Sequence, residues 1–296
     1  MYQPFADNLN VLDSMNQNDN ILVFSSVSAF YEPVRSKGFA VKYVVEGVER
    51  YTLNGQKYPV ETGKYLLSNN TTEGYVEIES GKNVKGICIS IVPELLAEIV
   101  ASHQRPDTAF TDPALGCFFS SNLFLEQQYN AQNTQVGQFL MNLAQSVQHQ
   151  HFNKNQLSIE FFYQLSEKIV ADQIPVFKQL QAIPSVKPST KKDLLQRVYR
   201  GKELMDASFI APLHIAYIAQ EACMSEYHFF RLFKLVFGIS PNQYLIQKRL
   251  ERGYFILKQD RDSVTTAAIA SGFSDIFTFS KAFKKQFGCA PSAISK

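Results

Sequence analysis

A segment of nine residues occurs twice in the last third of the chain, fifty positions apart. Residues 233–241 read Phe-Lys-Leu-Val-Phe-Gly-Ile-Ser-Pro, and residues 283–291 read Phe-Lys-Lys-Gln-Phe-Gly-Cys-Ala-Pro. Phenylalanine, lysine, glycine and proline coincide in register. Such self-similarity is typical of a duplicated supersecondary unit, because each copy places the same residue types on the same faces. The sequence therefore predicts two copies of one small helical unit in the C-terminal part.

The similarity continues upstream at an offset of forty-nine. Residues of the first copy and their counterparts in the second are Ile215, Ile218, Ala219, Met224 and Ser225 against Val264, Ala267, Ala268, Phe273 and Ser274. The change of offset means that the second copy contains one inserted residue, which we place just after Ser274. Each copy thus predicts a first helix with a small alanine where two helices cross, a short turn, and a second helix.

The second helix of each copy has recognisable ends and a recognisable inner face. Ser225 and Ser274 are predicted N-caps, since a serine oxygen accepts a hydrogen bond from a free N–H at a helix start, where a phosphate can also bind. Gly238 and Gly288 are typical left-handed C-terminal stops. Phenylalanines spaced four apart mark the buried face; they are Phe229 and Phe233, and Phe279 and Phe283. This pattern is that of a helix-turn-helix unit.

The outward faces of the two second helices are predicted to contact DNA, because an α-helix fits the major groove and can contact base edges there. The outward residues are Tyr227, Phe230, Arg231 and Lys234 on the first helix, and Ile276, Phe277, Thr278, Lys281 and Lys285 on the second. Arg231 suits bidentate contact with guanine, and Lys281 holds the matching place. Phe230 or Phe277 suits contact with a thymine methyl group.

A further helix, from Pro241 to about Lys258, is predicted to join the two units. Its packing positions are Tyr244, Leu245, Leu250, Tyr254 and Leu257. Two units on one connecting helix can enter successive major-groove segments about 34 Å apart, one turn of DNA.

Charge and composition divide the chain into two parts. Residues 1–190 carry a formal charge of −5 and residues 191–296 carry +7. A basic part attached to an acidic part is expected when only one of them meets phosphates. Residues 183–192 are rich in proline, serine and lysine, which predicts a linker between a domain at 1–182 and a domain at 193–296.

The N-terminal part predicts short β-strands followed by helices. Apolar and alternating runs at 39–45, 51–53, 56–60, 65–67, 75–79 and 86–91, with a hairpin turn at Asn54-Gly55, indicate a small barrel or sandwich. Apolar stripes after Pro93, at 135–151 and at 156–172 indicate three helices. The last stripe fits a domain core or a dimer seam equally well.

Four cysteines are scattered along the chain as Cys88, Cys117, Cys223 and Cys289. They contain no C-x-x-C pair, so zinc and redox motifs are unsupported, and reduced, partly buried thiols are expected. The chain opens on a polar stretch instead of a signal peptide, and no apolar run approaches the ~18 residues that span a bilayer. A cytoplasmic protein without membrane association is predicted.

Residues 195–296 resemble the DNA-binding domain of the AraC-type (AraC/XylS) transcription regulators. The matching residues include Ile218-Ala219, Met224-Ser225, Phe229, Arg231, Phe233-Lys234, Gly238, Ser240-Pro241, Arg249, Gly272-Phe273-Ser274-Asp275, Phe279, Lys281, Phe283-Lys284-Lys285, Gly288 and Pro291. The resemblance implies seven helices and base contacts from the outward residues above. Five positions depart from the family pattern. Cys223 and Gly253 stand where glycine and alanine are usual, and Lys281 stands where arginine is common. Phe230 and Phe277 replace polar residues at positions that contact bases in the family.

The N-terminal half resembles the sensor domain of the same family, through residues that look like the edge of a cupin-type barrel. These residues are Gly47, Tyr51, Leu53, Asn54-Gly55, Tyr58, Gly63 and Leu66-Leu67. The His-x-His of metal-binding cupins is absent there, so we expect no metal, no cofactor and no enzymatic activity. The resemblance implies effector binding or dimerisation. Tyr43, Tyr51 and Tyr65 are candidate pocket residues, although aromatic core packing explains them equally.

The resulting fold class is α+β with two domains. An N-terminal cupin-like β-barrel with packed helices precedes an all-α C-terminal domain with two helix-turn-helix units. The resemblance implies a transcription regulator, usually an activator, with double-stranded promoter DNA and RNA polymerase as partners, a possible small-molecule effector, and a homodimer. Two alternatives remain open: control by a protein partner, and a cupin-type enzyme with a DNA-binding module.

Overall fold

The computed structural model describes residues 2–3, 20–34, 38–102, 113–148, 158–259 and 263–294. The chain forms two compact units, Met1–Lys178 and Gln179–Lys296. None of the helices in these described ranges is both long and apolar enough to cross a membrane.

In the described residues of the first unit, eight strands form one sheet. They are β1 (Tyr2–Gln3), β2 (Ile21–Pro33), β3 (Phe39–Glu46), β4 (Val48–Leu53), β5 (Gln56–Glu61), β6 (Lys64–Ser68), β7 (Gly74–Ile91) and β8 (Gln127–Asn130). Along the main path the order is β1-β2-β7-β3-β6-β8, and β4 pairs with both β5 and β7. Strands β1 and β2 are parallel, and the other pairs are antiparallel. The sheet curls into a nearly closed barrel, as the cupin-like expectation requires.

An apolar cluster lies in the interior between these strands. Val44, Tyr51, Leu53, Val60, Leu66, Val76, Ile78 and Val84 form it, and each is at most 9% exposed. The hairpin turn predicted at Asn54-Gly55 is confirmed, since both residues have positive φ (48° and 79°), as a type I′ turn requires. The predicted strands 75–79 and 86–91 are parts of the single strand β7. It remains continuous because it pairs with β2 over most of its length.

The described ranges also contain the helices α1 (Pro93–Ser102), α2 (Pro113–Phe118), α3 (Gln135–Gln148) and α4 (Ile159–Ala182). The predicted inner face of α1 is confirmed, because Leu95, Leu96, Ile99 and Val100 are buried. Residues 149–157, where the second and third helix predictions end and begin, lie outside the described part of the chain. Helix α4 runs ten residues beyond the predicted end at 172, since Val176, Phe177 and Leu180 continue its buried stripe.

The second unit is helical. It contains α5 (Pro188–Ser208), α6 (Ile215–Glu221), α7 (Glu226–Phe237), α8 (Pro241–Gln259), α9 (Val264–Ala270), α10 (Ile276–Phe287) and a 3₁₀ turn at Pro291–Ala293. The predicted linker 183–192 differs from expectation in its second half, which belongs to α5. Pro188 stands in the first turn of that helix, where a missing N–H costs nothing and a fixed φ favours the helical start.

Candidate nucleic-acid interface

The two helix-turn-helix units are α6–α7 and α9–α10, and their turns have the same geometry. Met224 N donates to Ala219 O at 2.9 Å in the first, and Phe273 N donates to Ala268 O at 3.0 Å in the second. One residue in each turn has positive φ, Cys223 at 53° and Gly272 at 90°. Glycine adopts this conformation without strain and cysteine does not. Cys223, which stands where the family usually has glycine, therefore allows the same turn to form but lowers the stability of the fold.

The starts of the two second helices differ from the prediction in one copy. Ser225 is the N-cap of α7, and its oxygen accepts from His228 N at 3.3 Å. The N-cap of α10 is Asp275, whose carboxylate accepts from Thr278 N at 2.7 Å. Ser274 is not the N-cap; its hydroxyl donates to Asp275 Oδ2 at 3.1 Å. The offset of fifty thus extends back to the cap, and the inserted residue is Ser274 itself.

The buried faces of α7 and α10 are confirmed. Phe229, Phe233, Phe279 and Phe283 are all fully buried. In each unit a glycine on a neighbouring helix makes room for the first of these rings. A Cβ added at Gly201 would lie 2.4 Å from Phe229 Cε2, and one added at Gly253 would lie 2.6 Å from Phe279 Cε2. Gly253 is therefore required by packing, in the same way as Gly201.

Both second helices end as predicted, at glycines in the left-handed conformation. Gly238 has φ 77° and Gly288 has φ 76°. Their N–H groups donate to Lys234 O and Lys284 O at 2.9 and 3.0 Å. Both helices therefore have the same length and the same inner and outer faces.

Helix α8 holds the two units together by packing against each in turn. The Tyr244 ring meets Phe233 of the first unit edge-on at 5.6 Å, and the Tyr254 ring stacks on Phe283 of the second at 6.2 Å. The predicted packing positions Leu245, Leu250 and Leu257 are buried. At its start, Tyr244 Oη donates to Asp206 of α5 at 2.6 Å. The two second helices are thus fixed in one folded unit.

The predicted DNA-contacting side chains form a stripe on each second helix. On α7 the residues Tyr227, Phe230, Arg231 and Lys234 recur at spacings of three and four, which places them on one face, and all are exposed. On α10 the exposed residues are Phe277, Thr278, Lys281 and Lys285, whereas Ile276 is partly buried. The Thr278 hydroxyl donates to Asp275 Oδ2 at 2.8 Å, so this side chain is committed to the helix cap.

Each of these stripes carries a strongly exposed aromatic residue. Tyr227 is 77% exposed and Phe277 is 83% exposed. Both are the second residue of their helix, fifty positions apart, so the two units present an aromatic ring at the same place. Rings this exposed gain nothing from the protein's own core, which favours contact with another molecule.

One exposed basic residue of α10 is absent from the residues that the sequence predicts for DNA contact. The offset of fifty pairs Lys234 with Lys284, and both are exposed, whereas the prediction names Lys285. The repeat itself contains the signal that identifies Lys284. Each stripe therefore carries two basic residues at matching positions, Arg231 and Lys234 on α7, and Lys281 and Lys284 on α10.

The three tyrosines proposed for an effector pocket do not converge. Tyr51 belongs to the apolar cluster inside the barrel, together with Leu66. Tyr65 precedes Leu66 on β6 and therefore points to the opposite face, where its ring stacks on Tyr129 and its hydroxyl donates to Thr134 Oγ1 at 2.9 Å. Tyr43 lies directly opposite Tyr65 in the ladder. Alternation along each strand thus separates Tyr51 from the other two.

Two family profiles match separate parts of the chain. The profile described as AraC-like ligand binding domain matches residues 28–166, and the profile described as helix-turn-helix domain matches residues 218–296. The first covers most of the barrel and the helices α1–α3. The second runs from the first helix-turn-helix unit to the end of the chain.

Individual relatives are similar over shorter stretches. The chain is 30% identical over 99 residues to the Msm operon regulatory protein of Streptococcus mutans, covering 33% of this chain and 36% of that protein. It is 33% identical over 129 residues to the HTH-type transcriptional regulator ArgR of Pseudomonas aeruginosa, covering 43% of this chain and 38% of that protein. The chain thus covers little more than a third of the length of these curated relatives.

Among solved structures, the chain is similar to a transcriptional regulator with an AraC-type DNA-binding domain from Chromobacterium violaceum. The sequence identity is 29%, the match covers 34% of this chain and 89% of that one, and the TM-score is 0.32. With an AraC-like ligand binding domain ahead of a tandem helix-turn-helix domain, the chain belongs to the AraC-type family of transcription regulators.

Proposed function

We propose that this protein is a sequence-specific DNA-binding transcription regulator, with double-stranded promoter DNA as its target. One observation carries the proposal: α7 and α10 present matching exposed stripes, with Arg231 and Lys281 at equivalent positions. Basic residues on such a stripe supply affinity through phosphates, and the side chains that reach base edges supply sequence choice. Arg231, with its planar fork of donors, suits a guanine edge better than Lys281 does.

The proposal is tested by comparing binding to the protein's own upstream region with binding to shuffled DNA, at physiological salt. Arg231→Ala is expected to cost ~1–3 kcal/mol on the upstream region and little on shuffled DNA. Lys281→Ala should weaken upstream binding in the same selective way. Lys258→Ala is the matched control, because it removes one positive charge from an exposed position on α8, a helix that carries neither stripe.

Two results would contradict this assignment. Equal binding of both DNAs, unchanged by either substitution, would mean that the stripes on α7 and α10 do not contact bases. An equal loss on both DNAs for Arg231→Ala would mean that this residue contacts only a phosphate.

The role proposed for the N-terminal unit is to dimerise or to sense an effector, and so to shift the DNA-binding unit between more and less competent arrangements. The apolar cluster in the barrel supports dimerisation or a protein partner over a deeply enclosed ligand, because side chains such as Val44, Tyr51 and Leu66 occupy the interior. Sedimentation of the full-length protein tests this role. A dimer is expected at micromolar concentration, and a monomer at every concentration would contradict dimerisation.

We also propose that the protein activates transcription through RNA polymerase. It would do so in the cytoplasm, where promoter DNA is accessible. The stripes on α7 and α10 serve activation and repression equally, since both require only that the protein occupy its site. A reporter fused to the upstream region separates them: expression should fall when the gene is deleted. A rise in expression would make the protein a repressor.

A further inference from the structure

A lysine and a cysteine lie side by side in the barrel of the first unit. Lys42 of β3 and Cys88 of β7 are directly opposed partners in the antiparallel ladder. Side chains of opposed residues project to the same face and are held close by the backbone. Lys42 Nζ lies 2.5 Å from Cys88 Sγ. The ladder therefore brings a nucleophilic nitrogen and an oxidisable sulfur into contact without any rearrangement.

A carboxylate and a phenol accompany this pair. Glu49 is a buried residue of β4, and its Oε2 accepts a hydrogen bond from Tyr51 Oη at 2.5 Å. A Cβ added at Gly86 would lie 2.7 Å from Glu49 Oε1, so the carboxylate is packed over that glycine. The charge of Glu49 acts directly on Lys42. Glu49 is thus a buried carboxylate whose charge is coupled to the amine, and burial raises its pKa, which makes it a better base than an exposed glutamate.

The charge state of Lys42 depends on the state of the sulfur. Burial lowers the pKa of Lys42, while the negative charge of Cys88, its hydrogen bond and the Glu49 carboxylate raise it, and the net effect is a raised pKa. An oxidised sulfur carries no such charge. Its loss removes an interaction that favours the ammonium form, while burial continues to favour the neutral amine. Oxidation of Cys88 therefore shifts Lys42 towards its neutral, nucleophilic form.

Lys42 and Cys88 are each only partly buried as residues, as a pair that reacts with a small oxidant requires. The surroundings of the exposed Cys223 are different. Its sulfur accepts a hydrogen bond from Arg200, whose Nη1 is 3.8 Å away, and a guanidinium stays protonated and is not a nucleophile. The Cys88 sulfur therefore lies beside an amine that can react with it, whereas the Cys223 sulfur lies beside a guanidinium that cannot.

We propose that Lys42 and Cys88 are a modification site that forms a sulfur–nitrogen cross-link in response to peroxide. Peroxide first oxidises the Cys88 thiol to a sulfenic acid and leaves as water. The amine of Lys42 then attacks the sulfur: the S–N bond forms, the S–O bond breaks, and the hydroxyl leaves as water with a proton that the amine gives up through Glu49. One thiol, one amine and one peroxide give one sulfenamide and two waters.

The cross-link joins β3 to β7, which pairs with more strands of the barrel than any other described strand does. Strand β7 pairs with β2, β3 and β4, so a covalent bond from β7 to β3 restrains sliding between these strands. The site is reversible, because a thiol reductant attacks the sulfur and releases the amine. It gives the N-terminal unit two covalent states, and it goes beyond the proposed DNA-binding function because neither residue belongs to the second unit.

Mass spectrometry of the full-length wild-type protein tests the cross-link. Reduced protein is treated with hydrogen peroxide, alkylated, and digested with a protease that does not cut at lysine. The expected product is a Lys42 peptide joined to a Cys88 peptide with the loss of two hydrogens, and absent after treatment with dithiothreitol. Cys88 recovered only as a thiol, a sulfinic acid or a disulfide would overturn the proposal, and so would a link that contains an added oxygen.

Substitutions of Lys42 and Cys88 test whether the Lys42 nitrogen and the Cys88 sulfur form the bond. Lys42→Arg and Cys88→Ser should both lose the joined peptides, and in Lys42→Arg the sulfur should proceed to sulfinic acid because no amine intercepts it. Lys85→Arg and Cys223→Ser are matched controls at an exposed lysine bound to Glu46 and at an exposed cysteine, and both should cross-link like wild type. Circular dichroism shows whether each variant is folded. Joined peptides that persist in folded Lys42→Arg would overturn the assignment to this nitrogen.

Discussion

Replacing Gly253 by alanine should destabilise the second unit, although helix propensity alone predicts the opposite. Alanine in place of glycine inside an exposed helix stabilises by about 1 kcal/mol. Gly253 is buried in α8, however, and its new Cβ would lie 2.6 Å from Cε2 and 2.9 Å from Cζ of Phe279. Atoms cannot remain at these distances, so either the ring or the helix must move.

The ring has little freedom to move. Phe279 is fully buried, and its centroid is 5.2 Å from that of Phe273 and 5.3 Å from that of Phe283. Overpacking of this kind costs ~1–3 kcal/mol. Set against the gain in propensity, the expected result for Gly253→Ala is a net loss of about 1 kcal/mol in the free energy of unfolding.

Urea denaturation of the full-length protein, followed by far-ultraviolet circular dichroism, measures this effect. The chain contains no tryptophan, so the helical signal is the natural probe. Gly116→Ala is the control, because Gly116 lies in helix α2 and a Cβ there would meet nothing within 4 Å. It should be neutral or stabilising.

A double-mutant cycle separates packing from propensity. In a Phe279→Leu background the ring edge is gone, so Gly253→Ala should lose its penalty and recover the gain of about 1 kcal/mol expected from propensity. A stabilisation of that size in the wild-type background would refute the argument, since it would show that Phe279 shifts without cost.

Two further predictions concern carboxylates of the second unit. Asp275→Ala should lower the thermal midpoint of this unit clearly more than Ser274→Ala, because Asp275 is the N-cap of α10 and Ser274 only donates to it; equal effects would contradict the cap assignment. Burial raises the pKa of Asp206, but hydrogen bonds from Lys202 and Tyr244 and the nearby charge of Lys248 leave it lowered overall. Its contribution to stability is therefore full above the unfolded pKa near ~3.9 and is lost as the pH falls through the lower folded value. Asp206→Asn should lower the free energy of unfolding by about 1 kcal/mol at neutral pH, with the difference from wild type vanishing in acid; a pH-independent difference would contradict this account.

The helix faces and helix ends of the second unit could largely be predicted from the sequence, because the residues that determine them lie close together in the chain and occur twice. The spacing of Phe229 and Phe233 defines the inner face of α7, and Gly238 ends it through its own backbone freedom. The same residues recur fifty positions later, so each feature was supported twice. The error at the N-cap of α10 arose where the two copies differ in length. An alignment alone cannot tell which of two adjacent capping residues faces the helix N–H groups.

Tertiary structure decided the features that depend on a partner distant in the chain. Gly253 is a poor helix residue by propensity, and only the approach of Phe279 shows why glycine is needed there. Similarly, the tyrosines of the barrel are alike in composition, but strand register places Tyr51 inside the barrel and Tyr65 on the other face. The sequence shows which residues alternate along one strand, whereas the pairing of strands determines which neighbouring side chains each residue contacts.

The sequence by itself determined that the chain ends in two helix-turn-helix units with outward basic and aromatic residues, because periods of three and four along one helix are encoded locally. Only the fold decided that Lys42 meets Cys88 in the barrel. These residues are forty-six positions apart, and nothing in their local patterns relates them. Their contact exists because β3 and β7 pair in one specific register, and that register is set by burying the apolar faces of the whole sheet.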